Sequence, residues 1–320
     1  QPEIVEGIFR EQQLVVLAGA YGAGKSPWLM CLTLALLSGR ALFGRAVDRR
    51  PVILLDFETA DRVYKASMRA QTGYYGLPLP NVPSEAELYL DCAGTEHPLT
   101  KRLREAIRDP RPVVRTGLLT EALSRKPNAV VIIDPFEWLY MTDTNSKTSV
   151  QEAYHQLRHV LGGYQHAAIV IVLNLRKRDR RTKQAPDLLS DPRAWLEEVS
   201  GSLNLLSRCD VRLGMEKGRD EVVILNGVRR GEDCTPLAMS VYYDASGNPA
   251  GFVPGSIDPA GVLVALSPEQ MQHWARLPEC FRFNDVKDVL IPHSSLARLV
   301  RTARLMGVLT LVDGVYNKRM

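Results

Sequence analysis

Short apolar runs alternate with longer amphipathic stretches over roughly the first half of the chain. The runs are rich in β-branched residues, which predicts buried strands over 13–17, 52–58, 88–90, 129–134 and 168–173. The stretches between them have the length or periodicity of helices and cover 28–37, 60–71, 99–108, 117–125 and 150–161. Strands that alternate with helices in this way predict a mainly parallel sheet with helices on both faces.

The pattern changes after Asp210, where three strands follow one another with only tight connections between them. They are predicted over 211–216, 221–228 and 237–243. Consecutive strands of this kind pair antiparallel, so we expect them to extend one edge of the sheet. The predicted fold class is therefore α/β, a mainly parallel sheet with antiparallel edge strands, in a first domain over 1–243.

A second, smaller domain is predicted over 262–320, after a glycine- and proline-rich linker over 244–261. Its helices are expected over 268–277, 284–290 and 294–305, followed by a hairpin over 308–316 that turns at Asp313-Gly314. Three helices and a hairpin are typical of a winged helix-turn-helix domain, with 294–305 as its recognition helix.

The sequence predicts the fold of this small domain more narrowly than it predicts the binding partner. Residues 280–320 contain seven Lys or Arg residues against three Asp. Winged helices bind either duplex DNA or a protein, so the expected partner is one or the other. A solvated helical cap or a dimerisation module is the alternative interpretation.

Composition and charge set wide bounds on the function. The 320 residues are 45% hydrophobic and 24% charged, with a net charge of +4, so the overall charge does not by itself indicate a polyanionic partner. The five cysteines are scattered and form no C-x-x-C pair, which favours reduced thiols in a cytosolic protein without a zinc site. No apolar run is long enough to span a bilayer, and no signal peptide is visible, so no membrane partner is expected.

The most specific motif joins the first predicted strand to the first helix. Residues Gly19-Ala20-Tyr21-Gly22-Ala23-Gly24-Lys25-Ser26 match G-x-x-x-x-G-K-[ST], the phosphate loop of ATP- and GTP-binding proteins. Glycines let the backbone bend so that several N–H groups face one phosphate, at the positive end of the following helix. Pro27 suits the first helical turn, where its missing N–H has no intrahelical partner.

This loop predicts ATP and Mg²⁺ as the cofactors. Lys25 is expected to reach the β- and γ-phosphates, and the Ser26 hydroxyl to ligate Mg²⁺. Asp134 closes the 129–134 strand and is the expected second Mg²⁺ residue, beside Ser26 if the two strands are neighbours. An ordinary turn or cap aspartate is the alternative for Asp134.

A carboxylate that activates water is expected at the end of the 52–58 strand. Glu58 and Asp56 both qualify, and strand alternation places them on the same side. Glu58 is preferred because it lies nearer the carboxyl end of the strand, where ligands of open α/β sheets bind. Asn174, at the end of the 168–173 strand, is expected either to sense the γ-phosphate or to cap the turn.

A dense basic segment follows Asn174 directly. Six of the eight residues over 176–183 are basic, namely Arg176, Lys177, Arg178, Arg180, Arg181 and Lys183. We expect this segment to contact a nucleic-acid backbone; a solvated loop is the alternative. No aromatic residue interleaves with these positions, so the contact would tolerate different sequences.

A pair of arginines ends one of the predicted edge strands. Arg229 and Arg230 could place a guanidinium at the nucleotide of a neighbouring subunit, which would couple hydrolysis to oligomerisation. A surface salt bridge is the alternative for either arginine.

Taken together, these motifs resemble the RecA-fold ATPases of the RepA-like and DnaB-like hexameric helicase group. The resemblance covers about residues 4–243 and includes the phosphate loop, the strand ends at Glu58, Asp134 and Asn174, Gly201-Ser202, and Val228-Arg229-Arg230-Gly231. It implies that Glu58 is the catalytic glutamate, that Arg229 is an arginine finger, and that the 176–183 segment contacts DNA in a central channel.

Two positions depart from this group. Plasmid-type relatives commonly carry histidine where this chain has Asn174, and DnaB-like proteins carry a lysine two residues before the finger, where this chain has Gly227. These departures concern γ-phosphate sensing and helicase activity, and they leave the prediction of ATP binding intact.

The sequence therefore predicts a cytosolic, Mg²⁺-dependent RecA-fold ATPase that acts on nucleic acid. The first interpretation is a ring-forming DNA helicase of a plasmid, phage or other mobile element, moving on single-stranded DNA. The alternatives are a non-translocating DNA-dependent ATPase of recombination, repair or transposition, and a nucleotide-binding regulator that signals through the winged helix.

Overall fold

The computed structural model describes most of the chain. The described residues are 1–74, 88–93, 112–136, 147–175, 187–199, 208–217, 222–230, 232–243, 249–257, 263–264, 268–305, 309–312 and 314–318. The helix predicted over 99–108 and the Gly201-Ser202 pair lie outside these ranges.

Six parallel strands form the centre of the protein. They are β3 (Leu14–Ala20), β4 (Val52–Ala60), β5 (Leu88–Ala93), β6 (Val130–Asp134), β7 (Ala168–Leu175) and β8 (Val211–Lys217). Their order in the sheet is β5-β4-β6-β7-β3-β8. β3 and β6 are almost wholly buried, as expected for strands covered on both faces.

Helices cover both faces of this sheet. They are α1 (Lys25–Ser38), α2 (Asp61–Tyr74), α3 (Pro112–Arg125), α4 (Lys147–Gly162) and α5 (Pro192–Val199). Along β3, Val15 and Leu17 share a core with α1, whereas Val16 packs in a second core with Leu123 of α3 and Leu157 of α4. Successive side chains of a strand point to opposite faces, so this division confirms the predicted three-layer arrangement.

Antiparallel strands extend the sheet beyond β8. They are β9 (Val222–Arg229), β10 (Glu232–Asp233), β11 (Leu237–Tyr243), β12 (Pro249–Ile257) and β13 (Leu263–Val264). The order continues as β8-β9-β11-β12-β13, and β10 pairs with β9. The antiparallel edge predicted from the sequence is confirmed.

The predicted linker over 244–261 is wrong over Pro249–Ile257, because this segment is strand β12 and pairs with β11. Its composition is tolerated because, in the part of the chain that the structure describes, β13 pairs with the second edge of β12 at Ser256 and Ile257 alone, and prolines elsewhere along that edge cost few ladder bonds. Burial of Phe252 and Val253 offsets the low strand propensity of the glycines and prolines.

Strand β12 contacts both the helices that cover the central sheet and the carboxyl-terminal part of the chain. It lies against α1 and α2, and the Phe252 ring meets Phe43 edge to face with centroids 6.3 Å apart. The antiparallel strands therefore curl over the helix that follows the phosphate loop. The adjacent Val253 packs in the separate core of the carboxyl-terminal unit.

The described residues of the carboxyl-terminal unit, from Pro268 onward, form three helices and a three-stranded sheet. Its elements are α6 (Pro268–Arg276), β14 (Cys280–Phe281), α7 (Phe283–Val286), α8 (His293–Leu305), β15 (Leu309–Val312) and β16 (Val315–Lys318). The sheet order is β14-β16-β15, with both pairs antiparallel. Leu296 and Leu299 of α8 are fully buried in its core, together with Phe281 of β14.

Four short elements of the structure differ from the sequence predictions. The helix predicted over 284–290 ends at Val286, because Lys287 turns extended and Asp288 takes a left-handed conformation with φ of 57°. Strand β14 and the amino-terminal hairpin of β1 (Glu3–Val5) and β2 (Phe9–Arg10) were not predicted, since two or three residues carry no readable periodicity. Among the described helices, none has the length and apolar character needed to cross a membrane.

Candidate functional site

The phosphate loop joins the carboxyl end of β3 to the start of α1. Gly24 is the N-cap of α1 and has φ of 95°, a left-handed conformation that disfavours a side chain. Gly19 is required for a different reason: a Cβ there would lie 2.6 Å from the Met215 carbonyl oxygen of β8. The glycines thus allow both the bend of the loop and the close approach of two strands.

Lys25 lies inside this loop. Its Nζ donates hydrogen bonds to the carbonyl oxygens of Gly19 at 2.8 Å and Ala20 at 2.9 Å, and the residue is only 6% exposed. A buried ammonium held against the loop is placed where phosphate oxygens would be bound. The residues predicted to bind nucleotide run without a break from the end of β3 through the loop into the first turn of α1. They are Gly19, Ala20, Tyr21, Gly22, Ala23, Gly24, Lys25, Ser26 and Pro27.

A buried glutamine, which sequence reasoning missed, supports the first turn of α1. Nε2 of Gln71 in α2 donates to the Pro27 carbonyl oxygen at 3.2 Å, and its Oε1 accepts from Cys31 Sγ at 3.1 Å. Gln71 is completely buried. On a mostly polar helix, the hydrophobic pattern does not distinguish such a glutamine from exposed ones.

Ser26 and Asp134 form a compact oxygen site. Ser26 Oγ donates to Asp134 Oδ2 at 2.9 Å, although β7 lies between the strands β3 and β6. A hydroxyl and a carboxylate are ligands that Mg²⁺ prefers, and Mg²⁺ takes its remaining ligands from phosphates and water. One hydroxyl and one carboxylate from the protein fit a Mg²⁺ ion that is held jointly with a nucleotide.

The Asp134 carboxylate is unusually basic. Burial, together with the nearby charges of Asp56 and Glu58, raises the pKa of Asp134 to about 7, against the opposing effects of the Ser26 hydrogen bond and Lys25. A bound cation would favour the charged form of this carboxylate. The residues present therefore fit a divalent cation at this position.

Asp56 and Glu58, which strand alternation could not separate, have different surroundings. Asp56 is 3% exposed, lies opposite Asp134 in the β4-β6 pairing, and has its pKa raised by burial. Its Oδ1 accepts hydrogen bonds from the backbone N–H groups of Glu58 at 3.0 Å and Thr59 at 2.8 Å. Asp56 is thus engaged with the backbone, whereas the Glu58 side chain is exposed at the end of β4.

Glu58 is joined to Asn174. The Asn174 Nδ2 donates to Glu58 Oε1 at 3.1 Å, and Asn174 lies opposite Gly19 in the β3-β7 pairing. The ends of β3, β4, β6 and β7 consequently bring the phosphate loop, Asp134, Glu58 and Asn174 to the same edge of the sheet. This edge holds a phosphate cradle, an oxygen site for a cation, and an exposed carboxylate.

The structure places Arg229 far from this edge. It ends β9 opposite Val211, at the level where the parallel strands begin. Its guanidinium donates to Glu3 at 2.7 Å and to Glu232 at 2.6 Å, and its side chain is 14% exposed. Arg230 is different: its side chain is 73% exposed, with Nε 3.4 Å from Asp210 Oδ1.

The basic residues predicted to contact nucleic acid are Arg176, Lys177, Arg178, Arg180, Arg181 and Lys183, and they lie outside the described residues. The described range that precedes them ends at Leu175, the last residue of β7 and the neighbour of Asn174. The basic segment therefore continues from the strand end that carries the Glu58 partner.

Comparison with known proteins agrees with this site. The AAA domain family matches residues 1–180, more than half of the chain. The chain belongs to this family. Family membership and the phosphate loop together identify a RecA-like P-loop ATPase, the class expected from the sequence, and such ATPases generally bind nucleotide with Mg²⁺.

No curated protein matches the sequence. The crystal structure of the RadB recombinase is similar, with 15% sequence identity and a TM-score of 0.48, over 76% of this chain and 91% of that chain.

Proposed function

We propose that this RecA-like ATPase hydrolyses ATP to act on nucleic acid, as a ring-forming DNA helicase of a plasmid, phage or other mobile element. The observation that carries the proposal is the Asn174–Glu58 hydrogen bond, at the edge that also holds the phosphate loop and Asp134. The strand that ends in Asn174 runs directly into six basic residues within eight positions. A catalytic carboxylate and a nucleic-acid contact would then share one strand end.

The residues of the site have separate roles in hydrolysis. Lys25 and the loop N–H groups bind the phosphates, and Ser26 and Asp134 hold Mg²⁺, which when bound neutralises phosphate charge. Glu58 accepts the proton of the attacking water, for which its exposed carboxylate is suitably placed. Asn174 fixes one oxygen of Glu58 by donating a hydrogen bond to it, and its amide would sense the γ-phosphate of bound ATP.

Nucleic acid acts on this site through the 176–183 segment. Closely spaced Lys and Arg side chains bind phosphate backbones without base specificity. A displacement of this segment would move Asn174 and therefore the hydrogen bond to Glu58. Single-stranded DNA bound there would in this way change the rate of hydrolysis.

Assembly would complete the site with an arginine from another subunit. Arg229 and Arg230 lie at the end of the sheet opposite to the phosphate loop of their own chain, so either could serve only a neighbour's nucleotide. A guanidinium supplied in trans stabilises the charge of phosphoryl transfer. This requirement supports a homo-oligomeric ring with nucleotide between its subunits.

The carboxyl-terminal unit is proposed to be a winged helix that binds duplex DNA or a partner protein. The support is its element order of helix, strand, two helices and a two-stranded hairpin, with α8 in the position of a recognition helix. Val253 connects it to β12, next to Phe252 at the phosphate-loop helix. A partner bound to this unit would thus act close to the ATPase core.

One observation favours a non-translocating DNA-dependent ATPase of recombination, repair or transposition as the second candidate. DnaB-like helicases carry a lysine where this chain has Gly227. A Cβ at Gly227 would lie 2.1 Å from the Arg212 carbonyl oxygen, so the local packing of β8 and β9 admits only glycine. The packing of β8 and β9 therefore leaves no room for the lysine that DnaB-like helicases carry at this position.

The basic segment provides a test of the nucleic-acid contact. Substituting Arg176, Lys177 and Arg178 with glutamine should weaken binding to single-stranded DNA and reduce the slope of log affinity against log salt by about 2, between about 50 and 200 mM salt. Glutamine at the exposed Arg40 and Arg125 of the core serves as the control and should leave the slope unchanged. An unchanged slope in the triple variant would contradict the contact.

Strand separation then distinguishes the two candidate functions. A helicase unwinds a forked duplex with one polarity and requires ATP, whereas a non-translocating ATPase shows DNA-stimulated turnover without unwinding. Lys25→Ala is the control in which phosphate binding is removed. Nucleotide binding without any turnover would instead indicate the regulator.

A further inference from the structure

Asp56 is the last residue of β4 that stays in register with β6, and the strand bulges directly after it. The β4-β6 pairing ends at Asp56 and Asp134, and the β4-β5 pairing shifts between Asp56 and Ala60. Glu58 lies within this irregular stretch. Regular strand pairing therefore does not fix the direction of the Glu58 side chain, and a local contact is needed to do so.

The Asp56 carboxylate supplies that restraint. One oxygen, Oδ1, accepts from the N–H groups of Glu58 at 3.0 Å and Thr59 at 2.8 Å. A carboxylate that accepts from the backbone two and three residues ahead closes a turn of the Asx type and holds the peptides of that turn in one conformation. Because Asp56 is 3% exposed and lies in the sheet, the restraint rests on the rigid part of the fold.

The Glu58 side chain leaves this turn toward solvent and meets Asn174 at its far end. Its backbone is fixed by Asp56 and its carboxylate by Asn174. Catalytic groups held from both ends are pre-organised, and small displacements of such groups reduce rates strongly.

We infer that Asp56 is the positioning residue for Glu58, and that it acts by accepting two backbone hydrogen bonds rather than by binding nucleotide or metal. The inference rests on the proposed role of Glu58 in hydrolysis. The two acidic residues at the end of the strand then differ in function. Glu58 activates the attacking water, and Asp56 holds Glu58 in position.

Two substitutions with the same number of side-chain heavy atoms distinguish the effect of the hydrogen bonds from the effect of the charge. Asp56→Asn and Asp56→Leu both remove the carboxylate charge, but only asparagine keeps an Oδ1 that can accept from the Glu58 and Thr59 N–H groups. Asp56→Leu should lower kcat by about 10- to 100-fold with little change in the KM for ATP. Asp56→Asn should stay within about threefold of the wild-type kcat, since a neutral acceptor holds the same turn more weakly.

Thermal unfolding of each variant shows whether it is folded, and Asp56→Ala replaces the leucine variant if leucine is not accommodated. A double-mutant cycle with Glu58→Gln then tests the route of action, using single-turnover rates. If Asp56 acts through Glu58, Asp56→Leu should lower the residual rate of Glu58→Gln by less than about twofold.

Three results would overturn the inference: equal losses for Asp56→Asn and Asp56→Leu, a wild-type kcat for folded Asp56→Leu, or a full further loss in the Glu58→Gln background. Failure of the proposed function itself is recognised separately. In that case the wild-type protein shows no ATP turnover, or Glu58→Gln turns over ATP at the wild-type rate.

Discussion

Asn174 Nδ2 donates a hydrogen bond to Glu58 Oε1 at 3.1 Å, which connects the ends of β7 and β4 across the intervening strand β6. The same strand β6 ends in Asp134, so the hydrogen bond spans the position where the cation site is expected. Asn174 therefore links the proposed water-activating carboxylate to the segment proposed to bind DNA. The coupling of DNA binding to hydrolysis is expected to depend on this one amide.

Replacement of Asn174 should uncouple the two events. Asn174→Ala removes the donor to Glu58, and we expect a kcat about 10-fold lower, loss of stimulation by single-stranded DNA, and unchanged affinity for ATP. Asn174→His restores a ring N–H donor of the kind common in plasmid-type relatives and should recover part of the stimulation. Stimulation of Asn174→Ala equal to that of the wild type would show that the amide does not carry the coupling.

The raised pKa of Asp134 predicts a conflict between stability and function. In the folded chain burial raises the pKa of Asp134 to about 7 from the ordinary 3.8, so the folded state binds this proton more tightly than the unfolded state does. The contribution of Asp134 to the free energy of unfolding therefore falls as the pH rises from about 4 to about 7. Charged Asp134 destabilises the protein at neutral pH.

Asp134→Asn should accordingly be more stable than the wild type at pH 8, by an amount on the order of 2 kcal/mol. The difference should shrink toward zero as the pH falls to about 4, where Asp134 is protonated in the folded state and about half protonated in the unfolded state. ATP turnover should be lost in the same variant. Urea unfolding from pH 4 to pH 8 makes the measurement, and an Asp134→Asn protein less stable than the wild type at pH 8 would contradict the burial of charge at this residue.

The two arginines at the end of β9 should separate into a structural and a functional role. Arg229 is bound by Glu3 and Glu232 and only 14% exposed, so Arg229→Ala should lower the thermal midpoint by about 2–4 °C. Arg230 has a 73% exposed side chain, so Arg230→Ala should leave that midpoint unchanged and reduce turnover in the assembled protein.

Mixing subunits checks whether the arginine acts in trans. Lys25→Ala subunits lack a working phosphate loop but keep Arg230, and Arg230→Ala subunits have the reverse defect. Turnover that rises above the sum of the two separate samples supports an arginine supplied by the neighbour. If Arg229→Ala, rather than Arg230→Ala, shows this complementation, the two ion pairs of Arg229 must open on assembly.

Much of the fold could be predicted because its strands are apolar runs with few competing interpretations. The 129–134 and 168–173 runs became β6 and β7 with nearly the predicted limits. β12 escaped prediction because Pro249, Gly251, Pro254 and Gly255 are local signals for loops, whereas its strand state comes from pairing with β11 and from packing against distant helices.

The candidate site was predictable residue by residue, but its connections were not. Ser26 and Asp134 were expected to meet if their strands were neighbours; they meet across β7 because Ser26 starts a helix that lies over the strand ends. Alternation could not rank Asp56 and Glu58, since it places both on the same side of the strand, and the register shift between Asp56 and Ala60 leaves no signal in the sequence. One of the two ion pairs of Arg229 is with Glu3 of the amino-terminal hairpin, which is 226 residues away in the sequence.

The central claim is that Glu58-dependent ATP hydrolysis responds to nucleic acid, and one experiment tests it most directly. ATP turnover is measured for the wild type and Glu58→Gln, with and without single-stranded DNA, at about 50 and 200 mM salt. We predict that DNA raises the wild-type rate, that the higher salt suppresses this gain, and that Glu58→Gln still binds ATP but turns it over about 100-fold more slowly. A wild-type rate that DNA leaves unchanged at both salt concentrations, or a Glu58→Gln rate equal to that of the wild type, would contradict the account.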